Sequence, residues 1–282
     1  MCCRLSCGHV DVAVDTKRHD WYYHTISQKQ SLVQEAEMEE INSIVILGRG
    51  ERMEKVRAVI SRAGLKVVVA DMRRDYTKEL VDADLVLEDV SGDMDARKKV
   101  LRKCDKEASP KVILATTASS GITELAAATK RAQKFIGLDF TFNPLDDKCL
   151  IQVTKGWQSS EETVQSCKAL AEKIGAVAVE VEDSPGLILD RVIATVINEA
   201  AMMKMSEVAA TEDIDRITRL CLNWPMGPFE FADTIGVDNV VAILEILSQQ
   251  LGQQYLPCRL LRQMAAAGQL GKKTGKGFYT YK

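Results

Sequence analysis

The sequence predicts an α/β protein: a mostly parallel, doubly wound sheet over residues 41–183, an all-helical domain over 184–282, and an N-terminal extension over 1–40. Three observations lead there. Continuous apolar runs such as Ser43–Leu47, which ends at Gly48, suit strands buried on both faces. These runs alternate with stretches of helical periodicity, the pattern of parallel strands joined by covering helices. From Asp183 the strand signal stops, and helical periodicity alone continues to about Ala267.

Each element has its own local signal. After the first strand, Met53, Val56, Val59 and Ile60 recur at helical spacing, and Gly64 suits the chain reversal beyond the helix. A second strand, Lys66–Ala70, ends in Asp71, and a third is expected at Asp84–Leu87. A helix over Asp95–Lys106, a strand at Val112–Ala115 and a helix near Ile122–Thr129 follow. Strands are expected around Phe135–Phe140 and Cys149–Val153, then a helix at Glu161–Ile174 and a strand at Val177–Val181. Pro185-Gly186 is expected to open a long helix, and Thr211 to cap the helix carrying Ile214, Ile217 and Leu220. Val192, Val196, Ala200 and Met203 form a helical seam that faces either a second protomer or the domain's own core.

Composition narrows the function classes. With 282 residues, 46% hydrophobic and 27% charged, the chain can bury a sizeable core. A formal net charge of −3 offers no footprint for nucleic acid or an anionic membrane. No apolar run approaches the ~20 residues of a membrane helix. Cys104, Cys149, Cys167, Cys221 and Cys258 read as small buried hydrophobes. Cys2, Cys3 and Cys7 lie near His9, but no second ligand pair follows at zinc spacing, so no metal is expected. A reduced, cytoplasmic setting fits this cysteine usage. Residues 1–37 read as an extension, partly disordered, with a short helix near Ser27–Glu39.

The layout strand–Gly48-Arg49-Gly50–helix, with Asp71 closing the next strand, is that of a Rossmann-like dinucleotide fold. Gly48 permits the tight turn, and Gly50 lets backbone amides approach a pyrophosphate at the helix N-terminus. Asp71 is expected to bond the adenosine ribose hydroxyls and to favour NAD over NADP. Met53 stands where the fingerprint has its third glycine and is expected to push the helix from the sheet or narrow the phosphate gap. Glu51 and Glu54 set negative charge in the first helical turn, which Arg49 and Arg52 can offset.

The stretch Asp139-Phe140-Thr141-Phe142-Asn143-Pro144 resembles the His-Phe-Phe-Asn-Pro stretch of the 3-hydroxyacyl-CoA dehydrogenases, with one residue inserted. Asn223-Trp224-Pro225-Met226-Gly227-Pro228-Phe229 and Leu270-Gly271-Lys272-Lys273-Thr274-Gly275-Lys276-Gly277-Phe278-Tyr279 resemble the signatures of that family's helical domain. The resemblance runs from about Ile41 onward. It implies NAD-linked oxidation of a 3-hydroxyacyl-CoA, with a histidine as the base and a glutamate orienting it. Those two positions read Asp139 and Gln152 here. The substrate serine reads Ala118, leaving Ser119 and Ser120 beside it, and the asparagine after the Pro-Gly turn reads Asp190. The family's helical insertion after the second strand, which touches CoA, has no room between Met72 and Asp82. Its acidic residue near the nicotinamide reads Gly92 and its lysine Arg97; Glu88, closing the third strand, and Arg97 stand as cofactor-binding candidates beside Gly48, Gly50 and Asp71.

Three readings stay open. The chain is an NAD-dependent dehydrogenase with altered site residues, or a non-catalytic subunit that pairs with an active paralogue, or an enzyme of altered chemistry using Asp139 and Asp190. In the last, two close carboxylates raise the pKa of one and make it a base. The expected ligands are NAD and an acyl-CoA or related acid. The expected assembly is a homodimer or heterodimer, with no membrane or nucleic-acid partner.

Overall fold

The computed structural model describes residues 39–90, 93–142 and 148–281. The cysteine cluster, the helix expected near Ser27–Glu39 (apart from Glu39, which is not helical), Gly92 and Asn143 lie outside those residues.

Strands β1 (Ser43–Gly48), β2 (Lys66–Val69), β3 (Leu85–Asp89), β4 (Ile113–Thr116), β5 (Phe135–Phe142), β6 (Cys149–Lys155) and β7 (Val177–Glu182) form one sheet in the order β2-β1-β3-β4-β5-β6-β7. All neighbours are parallel except β5 and β6. The helices between the strands are α1 (Glu51–Arg62), α2 (Thr77–Val81), α3 (Met94–Glu107), α4 (Ile122–Ala126) and α5 (Glu161–Lys173). Successive side chains of β1 point to opposite faces, and both faces are covered. Ile44 and Ile46 pack with Met53, Val56 and Ile60 of α1, while Val45 and Leu47 pack with Leu80, Leu101 and Cys104. This two-sided burial is why the strand runs are continuously apolar.

Connections go out from β1 to β2 on one side and to β3 on the other, which opens a crevice at the carboxyl ends of β1 and β3. Close approach there depends on Gly48, where a Cβ would sit 2.6 Å from that of Asp89 on β3. Between Asp71 and β3 there is room only for the five-residue helix α2.

Beyond β7 the chain forms α6 (Leu189–Met205), α7 (Thr211–Leu222), α8 (Pro228–Ile235), α9 (Val237–Leu251) and α10 (Arg259–Ala266), around a core that includes Ile197, Ala201, Phe229, Val240, Leu244 and Leu261. Two buried aspartates fasten the segment after α10 to these helices. Asp233 accepts from the backbone N–H of Phe278 (2.9 Å) and Tyr279 (2.8 Å) and from the Tyr281 hydroxyl (3.0 Å). Asp215 accepts from the N–H of Phe229 (2.9 Å) and Glu230 (3.1 Å) at the start of α8 and from the Tyr279 hydroxyl (2.9 Å). A Cβ at Gly277 would collide with Asp233, and one at Gly227 with Asp215.

Several expectations need correction. Pro185-Gly186 does not open α6: Gly186 and Leu187 take φ of +72° and +45°, so the segment turns and the helix begins at Leu189. Thr211 does not cap α7; Ala210 occupies that position, and the Thr211 hydroxyl accepts instead from Lys204 Nζ at 2.5 Å. Helix α4 stops at Ala126, three residues before Thr129. Cys221 is exposed, unlike Cys104, Cys149, Cys167 and Cys258. The seam divides, with Ala200 in the core, Val196 and Met203 half-buried and Val192 exposed. None of the described helices is long and apolar enough to cross a membrane.

Because Asp233 is fully buried, removing its carboxylate strands two N–H groups and a hydroxyl. Asp233→Ala is expected to cost about 2–4 kcal/mol of unfolding free energy in urea titration.

Candidate active site at the carboxyl ends of the strands

Helix α1 begins at the crevice. Gly50, its cap residue, has φ +111° with no atom within 4 Å of where a Cβ would lie, and no side chain caps the helix. The first backbone N–H groups therefore face an open gap, the arrangement that receives a phosphate. Met53 does not fill that gap. It is 1% exposed and packs into the core beneath the helix. The turn at Gly50 therefore leaves space for a phosphate group against the start of α1.

Toward β5 the crevice is crossed by Arg52. Its guanidinium bonds Asp89 Oδ1 at 2.5 Å and Asp139 Oδ1 at 3.2 Å, tying the first turn of α1 to β3 and β5. Asp89 also accepts from the Thr117 hydroxyl. Asp139 is 8% exposed and lies directly across the antiparallel β5–β6 pair from Gln152. Gln152 Nε2 donates to Asp139 Oδ2 (2.9 Å), and its Oε1 accepts from the Ile188 N–H (3.1 Å). One amide side chain thus joins the sheet to the turn that opens α6. Leu187 in that turn is a buried non-glycine residue at φ +45°, a strained conformation that its surroundings enforce.

The turn sets Asp190, in the first turn of α6, beside Asp139. Burial pushes the Asp190 carboxyl up to about 6, and the charge of Asp139 adds to the rise; a hydrogen bond from Ser119 and the charge of Arg52 oppose it. Burial also raises Asp139, against the pull of Arg52 and Gln152. Ser119, Asp139, Gln152 and Asp190 thus meet in one place. The sequence reading missed Arg52 and Asp89 as members of this group, although an arginine in the first turn after a Gly-x-Gly loop faces the strand ends.

The cofactor-side candidates fare differently. Glu88 is fully buried: one oxygen accepts from the Val90 N–H (2.5 Å), the other from the Thr116 hydroxyl (2.6 Å), and Arg97 Nη1 bonds both (3.2 and 3.0 Å). Glu88 and Arg97, the cofactor-side candidates at the end of β3, pair with each other and brace that strand end. Asp71 closes β2 as expected, but Arg49 (2.6 Å) and Arg73 (3.2 Å) hold one of its oxygens, with Arg74 at 3.8 Å from the other. Arginine pairing, led by Arg73, keeps its carboxyl below the ordinary carboxylate range. No metal-ligand cluster occurs among the described residues.

An open Gly-x-Gly loop at the switch point of a doubly wound sheet, with acid–base groups at the ends of β3 and β5, defines an oxidoreductase scaffold of the dinucleotide-binding class. Residues 72–184 match the 3-hydroxyacyl-CoA dehydrogenase NAD binding domain, and residues 186–281 match the C-terminal domain of the same family. The chain belongs to the 3-hydroxyacyl-CoA dehydrogenase family. It is 42% identical over 236 residues to the probable 3-hydroxybutyryl-CoA dehydrogenase of Bacillus subtilis (strain 168), covering 83% of this chain and 79% of that one. Against the 3-hydroxybutyryl-CoA dehydrogenase of Clostridioides difficile it is 40% identical over 206 residues, 72% of this chain and 73% of that one. The crystal structure of (S)-3-hydroxybutyryl-CoA dehydrogenase from Ralstonia eutropha superposes with a TM-score of 0.80 at 31% identity, covering 86% of this chain and 100% of that one. The NAD-domain match begins at Met72, so β1, α1 and β2 lie ahead of it.

The raised pKa of Asp190 has a stability consequence with a definite sign. In an unfolded chain its carboxyl titrates near ~4. Stability contributed by the raised folded value is complete below that pH and is lost as pH rises through about 6. Asp190→Asn escapes that loss. Its Tm is expected to exceed that of the unaltered protein by ~2–4 °C at pH 8 and to equal it near pH 4, as followed by circular dichroism.

Proposed function

We propose that this protein interconverts a short 3-hydroxyacyl-CoA and its 3-oxoacyl-CoA with a nicotinamide dinucleotide, using Asp190 where the family resemblance implies a histidine base. The observation that carries this reading is the meeting of a buried carboxylate, Asp139, with a half-buried one, Asp190, in unequal surroundings. Asp139 is held by Arg52 and Gln152, whereas Asp190, with Ser119, is pushed up to about 6. A carboxyl titrating there can hold or release a proton near neutral pH, as an ordinary carboxyl near ~4 cannot.

In oxidation, Asp190 takes the proton of the substrate hydroxyl as the C–H bond breaks and the carbonyl forms. A bound dinucleotide supplies the hydride acceptor. Gly50 and the amides of α1 would hold its pyrophosphate. Ser119, already hydrogen-bonded to Asp190, is placed to share the substrate oxygen. Asp139 keeps Asp190 basic by like-charge repulsion and is itself kept in place by Gln152. Arg52 lies across the path toward β5, so substrate and nicotinamide enter by displacing its guanidinium from Asp139.

A second reading, a subunit that works paired with another copy or with an active paralogue, is favoured by the apolar side chains left exposed on α6 and α7: Val192 (49%), Met202 (41%), Ile217 (61%) and Leu220 (76%). Light scattering on the purified full chain is expected to give a dimer; a monomer would count against self-association through this face.

Turnover is measured with NADH or NADPH and acetoacetyl-CoA, and in reverse with 3-hydroxybutyryl-CoA. The kcat/KM for oxidation is expected to rise with pH through about 6. Asp190→Asn is expected to lose about 10²-fold or more in either direction. Absence of turnover with both dinucleotides would retire the enzyme reading and leave the partner subunit.

A further inference from the structure

The ribose end of the crevice is strongly cationic. Asp71 was expected to accept hydrogen bonds from ribose hydroxyls, but its Oδ1 is already taken by Arg49 Nη2 (2.6 Å), the Arg73 N–H (3.1 Å) and Arg73 Nε (3.2 Å). Arg74 approaches the other oxygen at 3.8 Å. Three guanidinium charges face one carboxylate. The next acid in the chain, Asp75, is occupied by the N–H and hydroxyl of Thr77 and by Lys103. The cations come from two loops, Arg49 from the Gly-x-Gly turn and Arg73 and Arg74 from the turn after β2. Arg73 and Arg74 are 78% and 85% exposed, so both can swing without disturbing the core.

We propose that Arg49, Arg73 and Arg74 form a subsite for a phosphate monoester on an adenosine ribose, and that the protein prefers the 2′-phosphorylated dinucleotide, NADP(H), over NAD(H). This rests on the dinucleotide reading of the crevice given above and specifies its ligand. A ribose diol finds Oδ1 already taken and only Oδ2 open, with the Arg74 guanidinium 3.8 Å from it, so a neutral diol competes with cations for one carboxylate. A phosphate monoester brings close to two negative charges and several acceptor oxygens, and planar guanidinium groups pair with it through charge-assisted bonds. The cationic excess also outweighs the repulsion between that phosphate and Asp71. The 3′-phosphate of coenzyme A carries the same chemistry. The 2′ position is favoured because Arg49 belongs to the turn that would hold the dinucleotide's pyrophosphate, which sets the ribose beside Asp71.

The test is calorimetric titration of the full chain with adenosine 5′-monophosphate, adenosine 2′,5′-bisphosphate and adenosine 3′,5′-bisphosphate, alongside fluorescence titration with NADH and NADPH. The 2′,5′-bisphosphate and NADPH are expected to bind at least about tenfold tighter than their counterparts, and the advantage to vanish in the double variant Arg73→Gln, Arg74→Gln. Equal binding of NADH and NADPH overturns the subsite and leaves the dinucleotide reading standing. Preference for the 3′,5′-bisphosphate overturns the assignment in favour of coenzyme A. Preference for the 2′,5′-bisphosphate without binding of either dinucleotide supports the phosphate subsite and retires the dinucleotide crevice. No binding of any probe at millimolar concentration overturns both.

Discussion

A sheet covered on both faces leaves only the ends of its strands for polar chemistry, and this chain crowds four carboxylates there. Glu88, Asp89 and Asp139 sit on β3 and β5, and Asp190 joins them from α6. Buried charges of one sign repel and lose hydration, so such a cluster survives only where cations and hydrogen-bond donors reach it. Arg97 and Thr116 satisfy Glu88, while Arg52 bridges Asp89 and Asp139. Burial and the neighbouring charge of Asp139 raise the proton affinity of Asp190, and Ser119 and Arg52 offset only part of that rise. The uneven supply of positive charge makes chemically similar side chains behave differently.

The cofactor crevice follows the same economy. Removing a glycine at Met53 would be expected to obstruct it, yet the side chain turns inward and becomes part of the core. The departures that matter are charged ones. Arg52 occupies the route toward β5, and Arg73 and Arg74 reshape the ribose end. The crevice has the backbone form of a dinucleotide fold, and these arginines set its electrostatic character.

Much of the fold was legible because its determinants are local. Two-sided burial writes continuous apolar runs, helices write a 3.6-residue period, and the strand-to-helix alternation restricts topology. Asp139, Gln152, Asp190 and Ser119 were legible through resemblance to family motifs, and the β5–β6 register explains why the first two touch. What stayed hidden was pairing between distant residues. Arg52 and Asp139 stand 87 positions apart, and no periodicity marks their contact. Glu88 looked available to a ligand because its partner Arg97 was read as a second contact rather than as its counter-ion. The start of α6 was misplaced because Leu187 takes a left-handed conformation that non-glycine sequence does not announce.

The fastening of residues 278–281 onto α8 also bears on how the helical domain assembles during synthesis. Asp233 finds its donors 45, 46 and 48 residues later in the chain. Until that segment leaves the ribosome, burying α8 would bury an ion with nothing to bond it, at a cost of several kcal/mol. The sheet domain, whose last strand ends at Glu182, can close while translation continues. The helical domain must instead wait, its apolar surfaces held open longest, and a ribosome stalled before Phe278 would leave a folded sheet carrying an unfinished, aggregation-prone helical half.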